Sequence, residues 1–417
     1  MNDVLPADIA AWQRLESIAR EIFASYGYRE MRVPLVEQTA LFKRSIGEYT
    51  DIVSKEMFTF QDPGGDSLTL RPEATAGIVR AMISNGLLHN QRHRVWTAGP
   101  MFRYERPQGD RYRQFNQLDV EAFGYAGPDI DAEMIMLSAR LLKRLGIGAV
   151  DLNLNSLGTP ASRRAYREQL VEYFTAHKAQ LDEDSLRRLD GNPLRILDSK
   201  NPQLQQIIAD APVLTDYLDE PSREHFDGLR RHLDAKSIPY KVNPRLVRGL
   251  DYYSHTVFEW ITREERAQNA VCSGGRYDGL VTQLGGKPTP AIGWALGQER
   301  IVRLMREQGA VSDNAPLDVY LVAVGVQAEA ESLQLAERLR DAVPGVRIET
   351  HCGGGSIKSQ MKSADNSGAS FAVILGESET ERRVAGLKSL RVEAPQGEIA
   401  LDDLPAELAR RLPGLQK

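Results

Sequence analysis

The stretch VWTAGPMFRYERPQGDRYRQFNQLDVEAFG, residues 95–124, decides the fold of this chain. It contains two extended runs, 95–105 and 113–124, which a charged loop with Pro107 and Gly109 joins. Proline and glycine together mark turns between regular elements. We therefore expect a long antiparallel hairpin.

The second run of this hairpin has two chemically different faces. Successive side chains of a strand point to opposite faces, which places Leu118, Val120 and Ala122 on one face. The other face carries Phe115, Gln117, Asp119 and Glu121. A strand of this kind borders either a solvated surface or a polar pocket, and periodicity alone favours the solvated surface.

The residues before the hairpin predict a helix and then a strand. Apolar residues recur near a period of 3.6 over residues 8–26, with Asp8 placed to cap the start and Gly27 after the end. MRVPLVE, residues 31–37, predicts a strand in which Pro34 requires an edge or a bulge, because proline has no N–H. Such an edge could be closed by a partner chain.

Further elements follow from local signals. DPGGD at 62–66 predicts a turn between the strands MFTF and SLTLR. Residues 160–236, rich in Arg, Glu, Leu and Gln, predict a mostly helical insertion, and strands return at 246–261 and 270–280. PAIGWALGQERIVRLM, residues 290–305, predicts a strand that runs into a helix near its Gln298.

The end of the chain differs from the rest in its sequence pattern. Residues 306–316 are polar and contain glycine and proline, which is typical of a linker. After them strands and helices alternate in the order βαβαβ, which predicts a largely parallel sheet with right-handed crossovers.

Composition limits the class of protein. The chain has 417 residues, 42% hydrophobic and 26% charged, with a net charge of −5; this balance excludes a disordered or collagen-like chain. We find no apolar run of about 20 residues and no signal peptide at the start, so we expect no membrane association. Two cysteines, Cys272 and Cys352, suggest a reducing cytoplasm, inert or core thiols and no metal site.

Three arginines lie inside strand-like segments or at element starts, namely Arg103, Arg248 and Arg300. Arginine is a poor filler there unless it meets an anion. An anion-binding cleft and ordinary surface ion pairs remain equally open at this point. Neither GxxxxGK[ST] nor GxGxxG occurs in a strand–loop–helix context, which excludes the common phosphate loops.

Several segments resemble class II aminoacyl-tRNA synthetases. Residues 102–124 resemble their motif 2, GWALGQER (293–300) resembles motif 3, and MRVPLVEQTALF (31–42) after its helix resembles motif 1. LVRGLDYYSHTVFEW (246–260) and GGRYDGL (274–280) are similar to two segments peculiar to histidyl-tRNA synthetases. The resemblance covers almost the whole chain, and this pair of segments is its most specific part.

The resemblance implies an α+β fold. A six-stranded antiparallel catalytic sheet with flanking helices is expected in residues 1–158 and 237–312, a mostly helical insertion in 159–236, and an α/β anticodon-binding domain in 317–417. It implies a homodimer formed through motif 1. It also implies that histidine and ATP form histidyl-adenylate and pyrophosphate, and that histidine then moves to the terminal ribose of histidine tRNA.

The resemblance also assigns residues to ATP. Arg103 and Arg248 are the expected catalytic residues, both at the α-phosphate, and Arg103 also orients the substrate carboxylate. Arg300 is expected at the far end of ATP and Arg111 near the γ-phosphate. Magnesium is expected on the phosphates with few protein ligands. The glycines of motif 3 either let ATP approach the backbone or allow tight strand packing; they are Gly293 and Gly297.

Histidine recognition maps onto a second set. The α-ammonium group is expected at Glu73, Thr75 and Gln117, and the imidazole at Glu121 and Tyr253, with Ala74, Arg248, Tyr252 and Tyr277 also lining the site. This assignment reverses the preference for a solvated face at Gln117 and Glu121, whereas Asp119 receives no role and is expected in solvent. Contacts with the acceptor end of the tRNA are expected from Arg106, Gln108 and Arg113.

Two rival interpretations stay in view. One is the inactive relative that regulates the first step of histidine biosynthesis, which lacks the anticodon domain and several motif residues. The other is a class II synthetase for glycine, threonine or proline. The arginines, the C-terminal region and the segments RGLDYY and GGRYDGL argue against both.

Overall fold

The structure is a computed structural model. It describes residues 2–47, 50–106, 111–199, 201–263, 269–310 and 317–412. The chain divides into two compact units, residues 1–313 and residues 314–417.

The first unit combines helices with strands in an α+β arrangement. Its helices are α1 Ile9–Ser25, α2 Thr39–Ile46, α3 Thr75–Ser84, α4 Pro128–Arg144, α5 Pro160–Ala176, α6 Glu183–Asp190, α7 Gln205–Asp210, α8 Glu220–Ala235, α9 Leu280–Gln283 and α10 Gln298–Glu307. Its strands are β1 Arg29–Glu30, β2 Val36–Gln38, β3 Phe58–Gln61, β4 Ser67–Leu70, β5 His93–Phe102, β6 Gln114–Phe123, β7 Val150–Ser156, β8 Lys241–Val242, β9 Ser254–Thr262, β10 Ala270–Arg276 and β11 Ala291–Gly297.

The large sheet has the strand order β1-β5-β6-β11-β10-β9-β7-β8. Its six central strands, from β5 to β7 in that order, are all antiparallel to their neighbours. The six-stranded antiparallel sheet is therefore confirmed. The two-residue strands β1 and β8 add one parallel pairing at each edge, so the whole sheet is mixed.

The predicted hairpin is confirmed as β5 and β6. The two strands pair over ten residues each, with Gly99 opposite Gln117. Leu118, Val120 and Ala122 are fully buried in the main apolar core with residues of α1 and α4. The opposite face of β6 is consequently free to border a polar site.

Two local predictions at the start of the chain are wrong. Residues 31–37 do not form one strand: pairing stops at Glu30 and resumes at Val36, and Pro34 lies in the gap. Asp8 does not cap α1 with its side chain; its carboxylate instead accepts a hydrogen bond from Arg306 Nη2 at 2.8 Å. The φ of +78° at Gly27 agrees with its predicted position after the helix.

The hairpin around the DPGGD turn is also confirmed. β3 and β4 are antiparallel and, with β2 at the edge, form a separate three-stranded sheet. The strand-to-helix transition at Gln298 lies where the sequence predicts it, between β11 and α10.

Residues 160–236 are mostly helical, as the composition predicts. They contain α5 to α8 and four short 3₁₀ turns. Their buried apolar side chains, such as Tyr166 and Phe174, belong to the same cluster as Ile78 of α3 and Val257 of β9. The insertion therefore packs on the catalytic sheet through a shared core.

A buried ion pair fastens α4 to β10. Arg276 and Asp131 are fully buried and in contact, and His225 Nε2 lies 2.7 Å from the same carboxylate. Burial opposes ionisation of Asp131, but the charges of Arg276 and His225 and their hydrogen bonds lower its pKa to about 2. The carboxylate is therefore ionised throughout the physiological range.

Replacing Asp131 with asparagine should lower the free energy of unfolding by about 3 kcal/mol, the lower end for breaking a buried ion pair, because the buried Arg276 charge then has only the partly exposed Asp278 carboxylate, 3.2 Å from Nη1, to balance it. Urea unfolding at pH 7 measures this loss. Asp227→Asn on α8 is the matched control, since the Asp227 side chain is 64% exposed. If both substitutions lowered the free energy of unfolding by an equally small amount, the ion pair between Asp131 and Arg276 would not stabilise the fold as proposed.

The second unit contains β12 Val319–Ala323, α11 Val326–Ala342, β13 Ile348–Thr350, α12 Ile357–Asn366, β14 Phe371–Leu375, α13 Glu377–Glu381, β15 Val384–Ser389, β16 Gly397–Ala400 and α14 Leu404–Arg411. Its sheet order is β13-β12-β14-β15-β16. The βαβαβ part is parallel as predicted, whereas the last two strands, which the sequence analysis missed, are antiparallel.

Candidate active site

A polar cavity of about 320 Å³ lies in the first unit on the polar face of β6. Its wall includes most of the residues that the sequence predicts for the site: Glu73, Thr75, Arg103, Arg111, Gln117, Arg248, Tyr252, Tyr253, Tyr277 and Arg300. These residues come from seven segments between positions 73 and 300, so the fold brings them together. We call this space the catalytic cavity.

Glu121 does not line the cavity itself: it is 1% exposed and lies behind the wall, in contact with the wall residues Thr75 and Tyr277. Its carboxylate accepts a hydrogen bond from Thr75 Oγ1 at 2.6 Å and another from the Tyr277 hydroxyl. Burial raises the pKa of Glu121 to about 8, although both hydrogen bonds act in the opposite direction. The preference for a solvated face, taken from periodicity, is thus wrong here, and a polar pocket is present.

Gly293 of β11 makes room for that carboxylate. A β-carbon at position 293 would overlap the Glu121 side chain, and Gly293 lies directly opposite Glu121 across the β6–β11 pairing. By contrast, a β-carbon at Gly297 would meet no atom within 4 Å, and Gly297 lines the open cavity. Both glycines line the cavity, but the space beside Gly293 is taken by Glu121, whereas the space beside Gly297 is open to a ligand.

Glu73 holds the start of α3. Its carboxylate accepts hydrogen bonds from the N–H groups of Thr75 at 2.7 Å and Ala76 at 2.9 Å. Burial raises the pKa of Glu73, and these backbone bonds counteract that effect. The side chain is thereby fixed in place at the cavity wall.

Three tyrosines form the aromatic part of the wall. The ring centroids of Tyr252 and Tyr253 are 4.7 Å apart, and those of Tyr252 and Tyr277 are 5.6 Å apart. Burial raises the pKa of all three hydroxyl groups, so each remains a hydrogen-bond donor at neutral pH.

Arg248 is held by two partners that the sequence analysis did not identify. Its Nη1 lies 3.0 Å from Glu259 Oε1, and its Nη2 donates to Ser273 Oγ at 2.7 Å. Glu259 and Ser273 are paired residues on β9 and β10. Their shared face follows from the register of the two strands, which alternation within each strand does not give.

The other arginines are also fixed. Arg103 Nε donates to the Pro72 carbonyl at 2.8 Å, and its guanidinium lies 5.3 Å from the centre of the Phe115 ring. Arg300 Nη1 donates to the Ala270 carbonyl. Arg111 Nε lies 3.0 Å from Glu105 Oε2. Each guanidinium is positioned before any ligand arrives.

Asp119 is a correction to the sequence analysis. It was expected in solvent, but it is 1% exposed and lines the catalytic cavity. Burial, together with the charges of Glu121 and Glu73, raises its pKa well above the usual range. The even spacing of Gln117, Asp119 and Glu121 places all three on one face, but it does not say whether that face is covered.

Some predicted residues do not line the cavity. Ala74 is fully buried, Arg106 is exposed, and Arg113 stacks on the ring of Tyr104 with 3.9 Å to the ring centre. Gln108 lies outside the described residues. Cys272 is buried as expected, whereas Cys352 is exposed and is not a core thiol.

The arrangement suits a reaction between anions. Fixed guanidinium groups from motif 2, from the loop before β9 and from the start of α10 surround one space, and arginine stays protonated at all relevant pH values. Preorganised cations of this kind stabilise charge that develops during a reaction.

Among the helices of the described residues, none combines the length and the apolar character that a membrane span requires.

Comparisons with known proteins agree with this geometry. The model of the histidyl-tRNA synthetase family matches residues 1–301, and that of the anticodon binding domain matches residues 318–411. A histidine–tRNA ligase of Halorhodospira halophila is 56% identical over 402 residues, which cover 96% of this chain and 95% of that protein.

Solved structures show the same relationship. The crystal structure of apo histidyl-tRNA synthetase from S. aureus superposes with a TM-score of 0.82 at 35% identity and covers 98% of both chains. A Bacillus halodurans structure described as an ATP phosphoribosyltransferase regulatory subunit/histidyl-tRNA synthetase has a TM-score of 0.66 at 21% identity, covering 90% of this chain and 97% of that one, which shows a shared fold. This chain belongs to the histidyl-tRNA synthetase family.

Proposed function

We propose that histidine is joined to AMP and then to histidine tRNA in the catalytic cavity, with the residue roles described below. As a histidine–tRNA ligase, the chain performs two steps. The histidine carboxylate attacks the α-phosphorus of ATP, the bond from that phosphorus to the bridging oxygen breaks, and pyrophosphate leaves. A hydroxyl of the terminal ribose of the tRNA then attacks the histidyl carbonyl, and AMP leaves.

The observation that carries this proposal is the convergence of Arg103, Arg111, Arg248 and Arg300 on one cavity that also contains Glu73 and the Glu121 pocket. We assign Arg103 and Arg248 to the α-phosphate and the substrate carboxylate. Arg111 and Arg300 take the outer phosphates and the far end of ATP. Because both reactants are anions, fixed cations at these points remove most of the electrostatic barrier.

Histidine binds against the polar face of β6. Glu73, Thr75 and Gln117 hold its α-ammonium group, and the imidazole meets Glu121 and Tyr253 in a pocket that Tyr252 and Tyr277 also line. Gln117 Oε1 is buried without a hydrogen-bond partner among the described residues, which supports its role as an acceptor. A buried acceptor left unpaired discriminates strongly against analogues that lack the matching N–H.

Magnesium accompanies ATP in this proposal. Mg²⁺ prefers oxygen ligands and retains several waters, so the phosphate oxygens and one wall carboxylate suffice. Glu299 lines the cavity and would be that carboxylate, although both of its oxygens already accept hydrogen bonds from Asn116, at 2.8 to 3.0 Å. The ion would neutralise phosphate charge, while Arg103 and Arg248 hold the reacting groups.

The remaining assignments concern partners. Arg106, Gln108 and Arg113 of the motif 2 loop contact the acceptor end of the tRNA. The chain acts as a homodimer through the motif 1 region, in which Pro34 interrupts strand pairing and β2 lies at a sheet edge. A cytoplasmic location follows from a role in translation.

ATP–pyrophosphate exchange tests the amino-acid specificity. Histidine should stimulate exchange of labelled pyrophosphate into ATP by at least 100-fold more than glycine, threonine or proline, because these lack a group for Glu121. Initial rates at equal amino-acid concentration measure this ratio. Equal stimulation by any of the three would overturn the specificity.

A further inference from the structure

A second cavity in the first unit has a strongly positive wall. It has a volume of about 370 Å³ and lies where the start of α5 faces the loop before β9. Among the described residues, the ionisable side chains on its wall are Arg163, Arg164, Arg167, Arg195, Arg248 and Asp251. We call this space the arginine cavity.

The nearby carboxylates balance these charges only in part. Five arginines and one carboxylate line the cavity, and of the five Arg248 is also paired with Glu259, which lies outside it. Asp251 is already engaged: it accepts from Asn192 Nδ2 at 2.8 Å and lies 3.6 Å from Arg195. Clustered cations repel one another, and an anion that joins them relieves this repulsion, most strongly at the half-buried Arg163, whereas Arg164 and Arg167 are exposed to solvent.

The individual guanidinium groups retain unused donors. Arg164 has no hydrogen-bond or ion-pair partner in the described part of the chain. Arg167 Nη2 and Arg163 Nη1 make only single bonds to backbone carbonyls, at 3.3 Å and 3.5 Å. Burial lowers the pKa of Arg163, which agrees with lost hydration that no carboxylate fully replaces. Arg195 is 9% exposed and fixed against the Gly249 carbonyl.

The wall also contains the start of a long helix. Pro160, which lines the cavity, is the first residue of α5, a helix of 17 residues. A helix start carries partial positive charge and favours anions. Arg163 and Arg167 are four positions apart and share a face of this helix. Guanidinium forks match the oxygen geometry of phosphate groups better than any other side chain.

We propose that the arginine cavity binds a phosphate-bearing anion, held mainly by Arg163, Arg164 and Arg167. The site is distinct from the catalytic cavity but shares Arg248 and Leu250 with it. Two sources offer this chemistry to a member of this family: the phosphate backbone of the tRNA and the released pyrophosphate. The occupant would lie against the loop that carries Arg248, Tyr252 and Tyr253.

The test uses the full chain with Arg164 and Arg167 both changed to glutamine. These residues have no part in the proposed catalysis. The matched control changes Arg223 and Arg230 of α8, whose side chains are 52% and 44% exposed, to glutamine as well. Filter binding of histidine tRNA at several salt concentrations and calorimetric titration with inorganic pyrophosphate are measured for all three proteins.

If the anion belongs to RNA, the double variant should bind tRNA about 10-fold or more weakly, and the slope of log K against log salt should flatten by about 1.4 for two lost phosphate contacts on a single strand. If it is pyrophosphate, the variant should bind one pyrophosphate fewer per chain with unchanged tRNA affinity. Unchanged values in both titrations, or equal changes in the control, would overturn the proposal. Neither titration requires catalysis, so failure of the proposed ligase activity would be recognised separately by the exchange assay.

Discussion

Replacing Arg248 with alanine should lower the rate constant of adenylate formation by roughly 10³-fold, the loss typical of removing one preorganised charge-stabilising donor. The side chain supplies a cation beside the reacting groups. Its removal also leaves the Glu259 carboxylate, now 3.0 Å from Nη1, without its partner and facing the anionic ATP. Both effects raise the barrier for an attack between two anions. Single-turnover formation of histidyl-adenylate measures the change.

Two further variants separate charge from shape. Arg248→Lys keeps the cation but cannot bridge Glu259 and Ser273 in the same way, so its rate should lie between those of the parent and the alanine variant. Arg263→Ala is the control, because the Arg263 side chain at the end of β9 is 61% exposed and lines neither cavity. A near-normal rate for Arg248→Ala would remove its catalytic assignment.

The elements that the sequence predicted well are those with strong local signals. The alternation of Leu118, Val120 and Ala122 placed one face of β6 in the core, and the turn residues at 62–66 marked a hairpin. The motif resemblance supplied the site residues that these local patterns could not bring together. Ten of the predicted residues line one cavity, although they are spread over more than 200 positions of sequence.

The features that were missed depend on tertiary packing. Whether Asp119 meets water depends on which elements cover β6, and no local pattern states this. The role of Gly293 follows from its partner across the sheet, since only the β6–β11 register places it against Glu121. The pairing of Arg248 with Glu259 and Ser273 likewise requires the β9–β10 register. Long-range register is therefore what single-sequence reasoning lacked.

Replacing Glu121 with glutamine should raise the KM for histidine roughly 10- to 150-fold, since a hydrogen bond to a charged group contributes about 1.5–3 kcal/mol. The KM for ATP should change little, because the arginines that hold ATP keep their positions. Steady-state exchange with each substrate varied in turn measures both constants. Equal changes in the two constants would mean that Glu121 is structural.

The pH dependence of histidine affinity is a second, independent test of the role of Glu121. With the pKa of Glu121 at about 8 and that of free imidazole near 6.5, the carboxyl group and the ligand together hold one proton between these values. Histidine affinity should therefore be flat between about 6.5 and about 8 and fall on either side. Glu121→Gln should lose the decline above the pKa of about 8, because that limb requires a titrating carboxyl group.

The stability of the same variant should move in the opposite direction to its affinity. The folded pKa of Glu121 is raised from 4.5 to about 8, so between these values the folded state keeps a proton that the unfolded state releases. Stability from this group is present below 4.5 and is lost as the pH rises towards 8. Relative to the parent, Glu121→Gln should become progressively more stable from pH 5 to pH 8, as urea unfolding at each pH would measure. A difference in stability that stays constant with pH would mean that the buried carboxyl group does not titrate in this range. A difference that grows with pH would show that burying this acceptor for histidine lowers the stability of the fold.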